Sequence, residues 1–274
     1  MKTIPVRILC AALLASTCTP SIAESSWTGN INLLSHYRFR GIDQTWGRPA
    51  LQGGLDWTHS DGWYGGLWAS NVSPRSYPGG HVEVDVYGGY NGTLSDDWRY
   101  TVGLYAYVYP GANLHDARCP SAAFTLPCSI PTTQGFNTRE LNAGVSWKWL
   151  AYKLSVSASD YFGANTNTGY SKGTRGTRYH DLSATLPIAE SWSLTLHAGH
   201  TSLRARVGGF SPSYNDWRIA VNTSWGKGWS ASAGVVGASN DRFYRVPIGG
   251  LSATDGATRS LNKTALAFQL GRTF

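Results

Sequence analysis

Cysteine, charge and long apolar runs are all scarce in this 274-residue chain, and each scarcity excludes a class of protein. Its four cysteines include no CxxC pair, which argues against a metal site built on cysteine thiolates. Charged residues make up 14% of the chain and form no basic cluster, which argues against a nucleic-acid-binding protein. After the N-terminal segment there is no run of about 18 apolar residues, so a transmembrane helix is excluded. What the chain does have is 13% aromatic residues and 32 glycines.

The N-terminus has the pattern of a secretory signal peptide. Lys2 and Arg7 accompany an apolar run over residues 8–15, and Ser21 and Ala23 supply the small residues of a cleavage site. We therefore expect residues 1–23 to be removed and residues 24–274 to form one exported domain, since no linker divides them. Cleavage removes two cations from the formal net charge of +7.

Cleavage would also leave only two cysteines, Cys119 and Cys128, in a stretch rich in proline and small residues. In an oxidising compartment such a pair most simply forms a local disulfide. We expect it to staple a long external loop, with a redox role as the alternative. Two isolated thiols do not indicate a metal site.

Segments of alternating polarity, separated by turn residues, predict about twelve strands. Their predicted cores are residues 30–42, 51–58, 63–72, 81–91, 98–109, 139–149, 152–162, 178–186, 192–203, 216–225, 229–239 and 263–274. Most are long enough to cross a hydrocarbon layer as tilted strands. Short and generally longer connections alternate along the chain. This pattern predicts an all-β, antiparallel transmembrane β-barrel with short periplasmic turns and long extracellular loops.

Proline and tryptophan positions favour the same arrangement. No proline after residue 23 interrupts a predicted strand, where it could not donate a hydrogen bond to the sheet. Tryptophans crowd beside the predicted short turns, as in an aromatic belt at a membrane interface. These interface candidates are Trp57, Trp63, Trp98, Trp147, Trp149, Trp192, Trp225 and Trp229. Aromatics that fill a soluble core are the alternative.

The predicted strands each have one apolar and one polar face. In the first, Tyr37 and Phe39 alternate with Arg38 and Arg40, so we expect the arginines to point into the barrel lumen. Glu83 and Asp85 are their expected counter-charges. The full set of pore-lining candidates is Arg38, Arg40, Glu83, Asp85, Arg99, Glu140 and Lys148. Opposed charges in a narrow lumen either select permeant solutes or pair and plug the lumen, and both interpretations stay open.

Four blocks within residues 30–90 resemble a known family in their order and spacing. These are SHYRFRGIDQT, RPALQGGLDW, GWYGGLWASNV and VEVDVYGGY, and the family is that of the TorF-type porins, otherwise described as conserved proteins of unknown function. The resemblance implies an outer-membrane barrel of a Gram-negative bacterium with a transport role. It implies no catalytic or ligand-binding residue. Beyond residue 90 the likeness is architectural.

The last residues resemble a barrel-assembly signal. Leu266, Phe268, Leu270 and the terminal Phe274 share one face of the last predicted strand, although Arg272 falls on that face as well. We therefore expect the barrel-assembly machinery to bind this last strand. The other expected partners are outer-membrane lipid and small solutes, and no nucleic acid is expected.

No catalytic motif is present: GxSxG, HExxH and the phosphate-binding GxxxxGK[ST] are all absent. His197 and His200 lie three residues apart on a predicted strand, so they face opposite sides and cannot share a metal ion without a bulge. We therefore predict a passive channel for small solutes with a slight anion preference, no enzymatic activity and no cofactor. The alternatives are a non-conducting outer-membrane barrel with a structural or lipid-hydrolase-like role, and an exported glycan-binding β-sandwich.

Overall fold

The computed structural model describes residues 25–117, 133–247 and 258–274. Twelve antiparallel strands close into a single barrel, which confirms the predicted fold class and replaces the β-sandwich alternative. The strands are β1 Ser25–Leu34, β2 Ala50–His59, β3 Trp63–Asn71, β4 Val82–Thr93, β5 Trp98–Val108, β6 Thr138–Trp147, β7 Leu150–Ser157, β8 Arg178–Ala189, β9 Trp192–Ser202, β10 Tyr214–Trp225, β11 Trp229–Ala238 and β12 Ala265–Thr273. Each strand pairs with its neighbours in chain order, and β12 closes the barrel against β1.

The alternation along each strand separates an apolar outer wall from a polar lumen. On β5, Val102 and Leu104 are 47% and 62% exposed on the outside, whereas Tyr107 is buried inside. Exposed leucine, valine and phenylalanine side chains continue this band around the other strands, including Leu266, Phe268 and Leu270 of β12. A wall of this composition is suited to lipid and not to water.

The two rims of the barrel differ in their connections. Short turns join β2 to β3, β4 to β5, β6 to β7, β8 to β9 and β10 to β11 at one rim, here called the short-turn rim. Longer segments connect the strands at the opposite, long-loop rim. β1 begins and β12 ends at the short-turn rim, where the Gly29 amide donates to the Phe274 carbonyl over 2.8 Å.

The tryptophans near the short turns lie at the short-turn rim. Trp63, Trp98, Trp149, Trp192 and Trp225 are 40–57% exposed there. Trp57, Trp147 and Trp229 occupy the same rim, and Trp98 and Trp147 are paired across β5 and β6 with ring centroids 6.3 Å apart. Their role as an interface belt stays a prediction.

The long-loop rim carries short helical turns at Leu114–Asp116, Tyr161–Gly163, Thr166–Thr168 and Asp241–Tyr244. A small pair of strands, Arg245–Pro247 and Thr258–Ser260, belongs to the last loop. Within the described residues, no helix is long and apolar enough to cross a membrane. The predicted signal peptide, residues 1–23, and the Cys119–Cys128 pair lie outside the described residues.

Candidate functional site

The segment after β1 folds into the lumen and does not continue the wall. β1 ends at Leu34, so the prediction of a strand over residues 30–42 is wrong at its C-terminal end. Residues 35–49, here called the inner loop, contain a small hairpin of Arg38–Phe39 paired with Ile42–Asp43. The backbone of this hairpin is extended, so its sequence alternates with the same period as a strand of the barrel wall. Arg38 and Arg40 therefore lie inside the barrel, but on a loop.

The tip of the inner loop touches the opposite side of the barrel interior. Gly41 has a φ of +78°, which glycine adopts readily and other residues do not. A Cβ atom there would come within 2.8 Å of the Ala238 Cβ, the Asp216 Cβ and the Gly237 carbonyl oxygen. The tip is thus seated directly against β10 and β11.

Arg40 fastens the inner loop to β6. Its two terminal nitrogens donate to both carboxylate oxygens of Glu140 over 2.9 and 2.7 Å, the bidentate geometry that favours arginine–carboxylate pairs. Arg40 also donates to the Tyr161 hydroxyl over 3.0 Å, and its Cζ lies 4.0 Å from the centre of the Tyr179 ring. Burial disfavours its charge, but Glu140, Tyr161 and Tyr107 together outweigh burial and raise the pKa of Arg40. The guanidinium is charged, buried and fully engaged.

Arg38 fastens the same loop to the last long loop. It donates to the Leu261 carbonyl over 2.7 Å and lies 4.0 Å from the Asp43 carboxylate. Arg259 approaches the same carboxylate to 3.6 Å, and the Asp43 amide donates to the Leu261 carbonyl over 2.9 Å. Arg38 is thus a structural tie between two loops in this conformation.

Glu83 and Asp85 do not serve as the counter-charges of these arginines. They face the lumen from β4 and are 0% and 3% exposed. In the part of the chain that the structure describes, neither forms an ion pair, since Arg40 pairs with Glu140 and Arg38 with Asp43. Tyrosines surround the two carboxyl groups instead: Tyr37 and Tyr109 lie beside Glu83, and Tyr105 lies beside Asp85.

Aromatic side chains fill the lumen around the inner loop. Phe39 of the loop packs edge-on against Tyr107 and Phe162, with ring centroids 5.4 and 5.6 Å apart. Tyr37 packs against Trp68 of β3 at 5.5 Å. The buried cluster links the inner loop to the wall and to the loops above, so this part of the lumen is closed.

Solvent exposure of the inward-facing side chains changes along the barrel axis. Near the long-loop rim, in what we call the closed half, these side chains are buried, as for Glu83, Glu140, Tyr179, Thr201 and Asp216. Toward the short-turn rim most are partly or fully exposed, as for Tyr87, Arg99, Asn142, Lys153 and Arg218. The described residues therefore form a cup that opens at the short-turn rim, and we call this part the open half.

Three cations line the open half without an ion-pair partner. Arg99 and Lys153 are exposed on the inner wall, and Arg218 donates to the Ser232 hydroxyl over 3.0 Å. Within residues 25–117, 133–247 and 258–274, no carboxylate lies within 4.0 Å of their charged groups. Lys148, a further pore-lining candidate, lies outside the wall: it occupies the turn after β6, half-exposed and 3.3 Å from Asp97.

The sequence did not predict a cluster of polar side chains around one histidine, His197, on the inner wall. His197 of β9 lies 2.8 Å from Asp216 through Nε2 and 3.3 Å from Asp181 through Nδ1. The Ser183 hydroxyl is 3.0 Å from Nδ1 and donates to Asp181 over 2.6 Å. With a carboxylate at each ring nitrogen, the imidazole is not free to act as base for this serine. The inward parity of these residues on three consecutive strands was the signal that could have revealed the cluster.

His197 faces the lumen and His200 faces outward, in agreement with their expected separation. Among the described residues, no group of three or more metal-ligating side chains comes together.

Sequence comparison identifies a family for this barrel. The family described as "Bacterial protein of unknown function (Gcw_chp)" matches residues 20–274. The chain belongs to the Gcw_chp family. No curated protein matches this Gcw_chp chain by sequence.

Solved porins share the architecture of this Gcw_chp barrel. A structure of "KdgM porin in complex with disordered oligogalacturonate" is similar with a TM-score of 0.50 and 6% identity, over 91% of this chain and 98% of that chain. A second structure, "KdgM porin", gives 0.50 and 6% over 90% and 98%. The NanC porin gives 0.49 and 12% over 91% and 99%. At this level of identity the KdgM likeness shows the fold alone.

Proposed function

We propose that this Gcw_chp protein is a porin-like channel for passive diffusion of small solutes across the outer membrane of a Gram-negative bacterium. The observation that carries the proposal is the closed barrel with an apolar outer wall and a polar, solvent-accessible open half. The short-turn rim then faces the periplasm and the long-loop rim faces the exterior. Membership of the TorF-type porins, which the sequence resembles, is part of this proposal.

The inner loop is the constriction of this channel. It crosses the lumen from β1 and β2 to Glu140 on β6 and to the Ala238 and Asp216 contacts on β11 and β10. A solute that enters from outside passes this loop before it reaches the open half. Movement of the inner loop would therefore set the conductance.

The open half is expected to prefer anions. Arg99, Lys153 and Arg218 lack ion-pair partners among the described residues, whereas Asp56 accepts from Tyr87 and Asp181 is paired with His197. Unpaired charges that line a lumen select permeant ions of the opposite sign. The KdgM porin was solved in complex with disordered oligogalacturonate, so a small acidic solute is the first candidate to test here.

Planar-bilayer recording of the refolded mature protein tests the channel function. We expect discrete ohmic current steps, because the polar lumen conducts ions once the inner loop moves out of it. A protein that inserts as a heat-modifiable barrel but never conducts would contradict the proposal and favour the non-conducting alternative.

Removal of the three free cations is expected to shift ion selectivity. In Arg99→Ser/Lys153→Ser/Arg218→Ser, the reversal potential under a salt gradient should move from the anion side toward zero or the cation side. Lys148→Ser removes the same charge from a half-exposed turn and serves as the matched control, with no expected shift. If the triple variant and the control give the same reversal potential as the unmodified protein, these cations do not set selectivity.

A further inference from the structure

The long-loop rim above β8 and β9 is strongly basic. Between residues 163 and 215 the only acidic residues are Asp181, which faces the lumen, and Glu190, which lies in a short turn. The same interval contains five exposed cations, Lys172, Arg175, Arg178, Arg204 and Arg206. Across the described ranges, none of these five has a carboxylate at ion-pair distance. Their charge is therefore available to a ligand.

Two loops hold these cations on one continuous surface. The Ser171 amide donates to the Arg206 carbonyl over 2.8 Å, and the Arg206 amide donates to the Ser171 hydroxyl over 2.9 Å. An isolated bridge between Tyr170 and Val207 extends this contact. The loop after β7 and the loop after β9 thus present their basic side chains together.

Directly below this surface, two histidines face outward from the barrel wall. His180 and His200 are opposed in the β8–β9 register, with ring centroids 6.5 Å apart. The Nδ1 of His180 lies 2.7 Å from the Tyr152 hydroxyl, and the Nδ1 of His200 lies 2.7 Å from the Asn215 side-chain oxygen. Each ring is held through Nδ1. When the Tyr152 hydroxyl donates to the Nδ1 of His180, the Nε2–H of His180 is left to donate to a ligand, and His200 lies beside it on the same outward face. Leu182 follows on the same outward face and belongs to the apolar band.

We propose that Arg175 and Arg178 of this basic surface, together with His180 and His200 below it, bind the phosphate of a lipid headgroup in the outer leaflet. Polar side chains on a lipid-facing wall are costly unless they meet polar partners. A phosphate supplies strong acceptors for arginine and imidazole donors. The acyl chains of the same lipid would continue along the apolar wall below. The proposal rests on the membrane location proposed above and not on channel activity.

Lipid retention by the full-length refolded protein tests this inference. The protein in neutral detergent is titrated with phosphatidic acid or with diacylglycerol, which has the same acyl chains but no phosphate, and bound lipid is counted by native mass spectrometry. We expect preferential retention of phosphatidic acid. Arg175→Gln/Arg178→Gln should weaken that retention about fivefold for each cation removed, as for basic residues near an anionic lipid surface.

A second variant separates lost binding from lost folding. His180→Leu/His200→Leu replaces two polar side chains on the lipid-facing wall by a residue that suits lipid, so the barrel is expected to remain heat-modifiable. Retention of phosphatidic acid should nevertheless fall. Lys227→Gln, which removes a cation from a short turn at the opposite rim, is the matched control and should retain as much lipid as the unmodified protein.

Three results would overturn the assignment. Equal retention of phosphatidic acid and diacylglycerol would show that the site does not recognise phosphate. Unchanged retention of phosphatidic acid in both double variants would show that the lipid binds elsewhere on the barrel. Displacement of the lipid by an equal concentration of inorganic phosphate would show a site for a soluble anion and not for a membrane lipid. Bilayer conductance is unaffected by any of these outcomes, so the channel proposal is judged separately.

Discussion

Arg40→Ala is expected to increase single-channel conductance, because it releases the inner loop from β6. The Arg40 and Glu140 side chains are only 6% and 1% exposed. Removal of one partner from a buried ion pair leaves the other charge uncompensated, at a cost of about 3–5 kcal/mol. That cost applies to the closed position of the loop, so the equilibrium shifts toward a conformation in which the loop leaves the lumen. Planar-bilayer recording measures the change directly.

The matched control is Lys148→Ala, which breaks an ion pair that is half exposed on both sides. Such exposed pairs contribute about 0–1 kcal/mol, so conductance and stability should stay close to those of the unmodified protein. Glu140→Gln should reproduce the effect of Arg40→Ala, and the double variant should add little to either single variant. A normal conductance in Arg40→Ala would show that the closed half does not limit ion flow.

Gly41→Val is expected to displace the tip of the inner loop without any change in charge. The new Cβ would lie 2.8 Å from atoms of Ala238, Asp216 and Gly237, closer than packed atoms approach. The backbone φ of +78° adds a further cost of about 1–2 kcal/mol for a residue with a Cβ. We expect increased conductance in bilayers and faster cleavage within residues 35–49 by an added protease.

Gly176→Val separates the effect of the steric clash from the effect of the positive φ. Gly176 has a φ of +84°, so valine meets the same backbone cost, but no atom of the described residues lies within 4 Å of the position that the new Cβ would take. Conductance should therefore stay normal in Gly176→Val. If both valine variants conduct alike, the contact of the loop tip with β10 and β11 does not hold the channel closed.

The strands of this fold could be predicted from its sequence because each has a wet and a lipid-facing side. The alternation of Val82, Glu83, Val84 and Asp85 gave the correct orientation of β4, and Pro187 at the end of β8 did not interrupt the barrel. Local alternation failed after Leu34, where the inner hairpin has the same period as the wall. Nothing in a period of two distinguishes a strand in the wall from an extended loop inside it.

Contacts between side chains on opposite sides of the lumen could not be predicted from the sequence, for a different reason. Arg40 and Glu140 are 100 residues apart, and they belong to elements that are not neighbours in the sheet. Strand alternation shows that Glu140 points inward, but it does not show which inward side chain Glu140 meets, and it does not apply to Arg40 on the inner loop. The His197 contacts with Asp181 and Asp216 are more predictable in principle, because β8, β9 and β10 are neighbours in the sheet. The short turn fixes the β8–β9 register, and the inward alternation of side chains limits the β9–β10 register across the longer loop.

The unequal exposure of the lumen has an electrical consequence. In a conductor with a narrow and a wide section in series, most of an applied voltage falls across the narrow one. The field would therefore act mainly near the inner loop, while Arg99, Lys153 and Arg218 sit where the potential is almost flat. In the proposed channel, the fixed charge of those cations would enrich anions before the resistive step. At low salt the current would therefore depend on the sign of the voltage. At 1 M salt, where charges are screened within about 3 Å, both the enrichment and this asymmetry would fade.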